Sequence, residues 1–178
     1  MVTTGNDRTH LAQTRRYAAD AASVAFAEHD DQVLNDVSTV LWRERQLLEL
    51  LVFKLDEEQL LLSAGRARWV NHASREVEIV FEELRAAGLL RAVEVEAAAA
   101  RLGLASFPGL SSLSEAAPEP WRSIFARHRQ AFLQLTSEVR DLSERNRHLL
   151  AEGRDAAREA RSSLMGEGAP LPQTGTAS

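Results

Sequence analysis

The stretch LWRERQLLELLVFKLDEEQLLLSAG, residues 41–65, decides the fold class. Leu34, Leu41, Leu48, Leu55, Leu62 and Trp69 fall seven residues apart, with Val37, Glu44, Leu51 and Glu58 at the companion positions. An α-helix turns once every 3.6 residues, so a strict seven-residue apolar file drifts around its surface unless neighbouring helices wrap it in a left-handed supercoil. The file therefore predicts a long helix packed lengthwise on other helices. Gly65 is placed to take the left-handed conformation that ends it.

At 100° per residue, Leu47, Leu48, Leu50, Leu51, Val52, Phe53 and Leu55 spread over roughly 260° of the helix wheel. A single packed neighbour covers much less than that. The second cover is either the last helix of the same chain or another protein. Self-pairing along this face is disfavoured, because in a symmetric dimer Glu44 and Glu58 would each face a copy of themselves with no cation between. The two glutamates are expected to meet arginines from a neighbouring helix.

Outward from this stretch, a second helical segment begins near Ala67 and carries Val70, Ala73, Val77, Val80, Leu84 and Ala87 at alternating steps of three and four. The file continues through Leu90, Val93, Ala97 and Ala100, so the successive steps of three around Gly88 predict a bent or overwound stretch, and Gly103 ends the segment. From Leu104 to Pro118 the chain reads as a loop with one short helical turn at Leu110–Ala117. Pro120 suits the first turn of the next helix, where its missing N–H costs nothing. That helix carries Trp121, Phe125, His128, Phe132, Leu135, Val139, Leu142, Asn146 and Leu149 in unbroken steps of four and three, and should run to about Ser163.

The expected fold is all-α: an elongated antiparallel three-helix coiled coil or bundle, a helical hairpin plus a returning third helix. Its helices are expected at about 31–64, 67–102 and 119–163 within a domain of residues 31–164. Residues 1–30 have weak periodicity and read as a flexible extension. Residues 165–178, which include PLPQTG, are too poor in apolar side chains to offset their ordering entropy and read as a disordered tail.

Of the 178 residues, 44% are hydrophobic, 26% charged and only 6% aromatic, a helical leaning dominated by Ala, Leu, Glu and Arg. The net charge of -5, with arginines interspersed among glutamates, offers no field for a polyanion, so a nucleic-acid partner is not expected. There is no cysteine, hence no disulfide, thiolate nucleophile or Cys-type zinc site, which suits a reducing compartment such as the cytoplasm. The best candidate for a secretory signal, YAADAASVAFAEHDD, is interrupted by Asp20, and no run reaches the length of a membrane span.

Catalysis needs converging groups, and the sequence shows none: no metal motif among the five histidines, no phosphate loop, no nucleophile elbow. No enzymatic activity, cofactor or metal is expected. His128 reads as a core histidine, His72 and Glu76 as a surface pair, and Asn146 as a polar residue that fixes helix register at some cost in stability. The tail's LPQTG matches a sortase pattern but is followed by only three residues, without the hydrophobic segment and basic end that wall anchoring needs.

The residues LWRERQLLELLVFKLDEEQLLLSAGRARWVNHASREVEIVFEELR, then RAVEVEAAAARLGL, APEPWR and the terminal NRHLL, together resemble the actinobacterial branch of the FlgN family of flagellar export chaperones over about residues 34–163. The resemblance implies a cytoplasmic protein that binds hook-associated (hook-filament junction) proteins by their helical terminal regions before flagellar type III export, and leaves the export apparatus open as a second contact. It implies neither nucleotide nor metal, and it assigns client binding to the last helix. Carried onto this sequence, that assignment falls on Val139, Leu142, Asn146, Leu149 and Leu150, which lie on an apolar stripe of the kind that docks an amphipathic helix. The oligomeric expectation is a monomer or weak dimer. The alternative is a structural coiled-coil protein that self-associates as a scaffold.

Overall fold

A computed structural model describes the backbone of residues 6–166 and the side chains of residues 31–165. Among them the chain is all-helical: α1 spans Asn6–Ser63, α2 Ala67–Leu102, α3 Leu110–Ala116 and α4 Trp121–Gly166, with no strand. The onset of α1 differs from the expected start near Asp31. Between Asn6 and Ser63 there is neither glycine nor proline, and the alanines around Ala18–Ala27 have the highest helix propensity of any residue, so nothing there stops a helix. Lack of a clear apolar face is not a stop signal. The readings of residues 1–5 as flexible and of 167–178 as disordered fall outside the described residues.

The chain divides into two compact units, Met1–Leu48 with Phe81–Gln134 and Glu49–Val80 with Leu135–Ser178. In the first, Leu34, Val37 and Leu41 of α1 meet Val95 and Ala98 of α2, Leu113 of α3, Ala117 just past the end of α3, and Phe125 of α4 in one buried cluster. Trp121 Nε1 donates to Asp31 Oδ1 at 3.0 Å, and the Trp42 ring stands edge-on to His128 with centroids 4.8 Å apart. The paired numbers rise together, so α4 runs parallel to α1. Glu44 pairs with Arg91 at 2.7 Å while Leu34 shares its cluster with Val95 and Ala98, so α2 runs antiparallel.

The link between α2 and α4 is built locally. Gly103 at φ 67 reverses the end of α2, and Leu104 N–H donates to Ala99 O at 2.9 Å, capping the exposed carbonyls of the last turn. The expected single turn at Leu110–Ala117 is the short helix α3, which drives Leu113 and Ala117 to complete burial. Ser114 Oγ donates to Arg122 O at 3.1 Å and Arg122 Nε to Ala117 O at 3.2 Å, tying α3 to the start of α4.

One expectation fails within α2. Past Gly88, the buried positions are Val95, Ala98 and Ala99 with half-buried Leu102, reached from Ala87 through half-buried Arg91. Leu90, Val93, Ala97 and Ala100, expected to continue the core file, are exposed. The core file runs 87, 91, 95, 98, 102, with no pair of successive threes and so no stammer. Arg91 is charged and so interrupts an apolar file, yet it stands on the inward one, where it pairs with Glu44 at 2.7 Å.

In the second unit, Leu51, Leu55 and Glu58 of α1 are buried with Ala73, Val77 and Val80 of α2 and Leu142 and Asn146 of α4. The α1–α2 turn closes as a Schellman motif: Arg66 N–H donates to Leu61 O at 2.9 Å and Gly65 N–H to Leu62 O at 3.1 Å, with Gly65 at φ 63. Trp69 lies beyond this turn, on α2, and is half exposed, so the seven-residue file ends at Leu62. Lys54 bridges Glu57 and Glu76, each at 2.7 Å, which raises its ammonium above the ordinary lysine range and holds the Glu76 carboxyl below the ordinary carboxylate range. Lys54 with Glu76 and Glu58 with Ser74 set α1 and α2 antiparallel here too.

Candidate functional site

The five residues singled out on the last helix all lie in the second unit, but they do not form one surface. Leu142 and Asn146 are buried, at 4% and 2% exposure; Val139, Leu149 and Leu150 are half-buried. Asn146 Nδ2 donates to Leu55 O at 2.8 Å and to Glu58 Oε2 at 3.0 Å, and Glu58 Oε1 accepts the Ser74 hydroxyl. A single asparagine thus joins α4 to α1 and, through Glu58, to α2. Glu58 therefore meets Asn146 and Ser74 where an arginine was expected, whereas Glu44 does meet one, Arg91.

The reason the stripe divides is helix length. Asn146 lies beside Leu55 and Glu58, and α1 ends only five residues past Glu58, at Ser63, while α4 continues to Gly166. Beyond Leu150 and Ala151, both half-buried, residues 152–165 are exposed to the end of the described side chains. At the point where partnership ends, the seam opens into a cavity of about 280 Å³. Its apolar walls are Leu61 and Leu62 from the last turn of α1, Val70 from α2 and Leu149 and Leu150 from α4. Gly65, Gly153, Ala67 and Ala157 add little bulk, and Asn71, Arg66 and Arg154 supply the polar lining.

Glycine and alanine four residues apart on α4, at Gly153 and Ala157, leave room for another backbone to approach. The site can therefore accept an apolar stripe while its two guanidinium groups face an acidic flank. Leu61, Leu62 and Val70 were not among the expected site residues. Their signal in the sequence is a leucine pair in the last turn before a helix-stopping glycine, where a partner helix is about to be lost.

Among the described residues there is no cluster of three or more metal-ligating side chains, and no helix is long and apolar enough to cross a membrane. His128 is buried against Trp42 and Phe132; burial, then Arg45 and Arg127, holds its pKa below the ordinary imidazole value. His72 is an exposed partner of Glu76 at 3.1 Å. Neither histidine faces the cavity.

The family model for FlgN protein matches residues 33–170. This chain belongs to the FlgN family. Every residue lining the cavity falls inside the match, and the first turns of α1 fall outside it. FlgN proteins form a family of flagellar export chaperones, so the general role of the chain is that of a chaperone in flagellar assembly. Neither a curated protein nor a solved structure matches the chain.

Proposed function

We propose that this FlgN-family chaperone binds the helical terminal regions of hook-associated proteins in the cytoplasm, prevents their premature assembly and aids their type III export. The single observation that supports the client site is the apolar cavity where α4 outruns α1, lined by Leu61, Leu62, Val70, Leu149 and Leu150. An amphipathic client helix presents apolar side chains at i, i+3, i+4 and i+7, and such a stripe would continue the seam that α1 no longer fills. Arg66 and Arg154 favour a client with a carboxylate beside that stripe. Leu142 and Asn146 support the site from the interior; Leu149 and Leu150 touch the client.

Calorimetry with the terminal helical segments of the host's hook-associated proteins tests this reading. Leu149→Asp combined with Leu150→Asp should weaken binding by about tenfold or more while the helical circular dichroism is retained. A folded chain that ignores every hook-associated segment would sink the client assignment.

A further inference from the structure

The outer face of α2 carries an apolar file that no described side chain of the first unit covers. Ala86, Leu90, Val93, Ala97 and Ala100 follow steps of four, three, four and three, and all are exposed, Leu90 at 53% and Val93 at 65%. Two residues on from Val93, Val95 points some 200° away into the core, so α2 is apolar on opposite sides. A surface helix of a monomer needs one such face; a second one at heptad spacing is the pattern of a seam that takes another helix.

Phe107 stands at the end of this file. It is 78% exposed, its backbone sits at φ 56, a region that bulky side chains rarely occupy, and its N–H donates to Glu96 Oε2 at 2.7 Å. Together with Val93, Glu96, Ala97 and Ala100 it lines an open groove. Glu96 therefore holds a strained loop so that an aromatic ring projects beside the file. A ring exposed to this degree adds little to the core and is open to a partner.

Charge selects the occupant. The file is flanked by Glu82, Glu83, Glu94 and Glu96, against Arg85, which is paired with Glu82 at 3.0 Å, and Arg101, which has a partner of its own. A second copy of the chain would set glutamate against glutamate around Val93, Glu94 against Glu96 in a parallel pair and each against its own equivalent in an antiparallel pair centred there. We infer that this face docks an amphipathic helix whose apolar stripe is flanked by lysine or arginine, at a site separate from the groove lined by Leu149 and Leu150.

Fluorescence anisotropy on the full chain tests this, with a labelled synthetic amphipathic helix bearing lysines beside its Leu/Ala stripe and a twin bearing glutamates. The lysine peptide should bind about tenfold or more tightly than its twin, and Glu83→Lys with Glu94→Lys should reverse the preference. Val93→Asp should abolish binding, and Leu149→Asp should leave it unchanged. Phe107→Gly should weaken binding while raising Tm, because glycine adopts that backbone without strain. Equal binding of the two peptides, insensitivity to Val93→Asp, or loss on Leu149→Asp overturns the proposal. So does a chain dimer that Val93→Asp dissociates, which would give the face to a second copy.

Discussion

Asn146 ties α4 to α1 with one amide nitrogen, donating to Leu55 O and to the Glu58 carboxylate, while its Oδ1 is buried without a partner among the described residues. Removing the amide leaves a buried carbonyl and a buried carboxylate short of a donor. Asn146→Ala should therefore cost about 2 kcal/mol in urea unfolding. Asn146→Asp should cost more, since it sets a second carboxylate against Glu58, and part of that loss should return on acidification as one of the pair takes a proton. His128 gives a second test. Unfolded, it gains its proton near pH 6.5; folded, burial and then Arg45 and Arg127 delay this to lower pH. In that window the unfolded chain binds more protons, so His128 contributes fully above about pH 6.5 and its contribution is lost as pH falls through the folded value. Glu44 acts in the opposite sense: burial outweighs Arg91 and raises its pKa, so the folded chain takes that proton first. Urea midpoints should fall between about pH 7.5 and pH 5.5, and His128→Leu should flatten the slope. The spacing of four and three placed His128 and Asn146 on the inward file. What each would touch was not legible, because the seam at Glu58 admits an arginine, an asparagine or a serine equally well by period alone.

At the scale of the helix, α4 separates stability from recognition along one file. Leu142 is buried where α1 is still present, so Leu142→Ala should cost about 2–4 kcal/mol. Leu149, one heptad on, lines the cavity and is half-buried, so Leu149→Ala should cost much less in unfolding while reducing client affinity. The reverse ranking in a paired unfolding and calorimetry series would place the client elsewhere. Gly65→Ala, forced to φ 63 at the turn that forms one wall, should cost about 1 kcal/mol and loosen the cavity. The files of α1 and α4 were readable because each helix has one inward face. In α2 two files compete past Gly88, and the more apolar one, through Leu90 and Val93, looked like the core. The true inward file contains Arg91, which enters only because Glu44 waits for it on α1. The seam position of Glu44 pointed to an arginine on a neighbouring helix, but which arginine is fixed only by three-dimensional register.

For the molecule as a whole, the residue pattern identifies the family and the all-helical architecture, while the client surface depends on helix ends that periodicity does not fix. Where α1 stops relative to α4 creates the cavity, and that offset follows from the Schellman turn at Gly65 and the absence of any such stop in α4 before Gly166. Local stability should be uneven as a result. Among the described residues, four of the six largest fully buried side chains, Phe125, Leu41, Leu113 and Val37, belong to the first unit, and Leu51 and Asn146 to the second. Hydrogen exchange of the chain alone should therefore be slowest around Val37–Leu41 and Phe125, and faster around residues 61–71 and 149–157, where an open cavity replaces packed side chains. Adding a hook-associated terminal segment should slow exchange in those two stretches together, since the client would supply the missing neighbour. Slowing confined to residues 86–107 would instead place the client on the outer face of α2, and would leave the cavity beside Leu149 and Leu150 without the role argued for it.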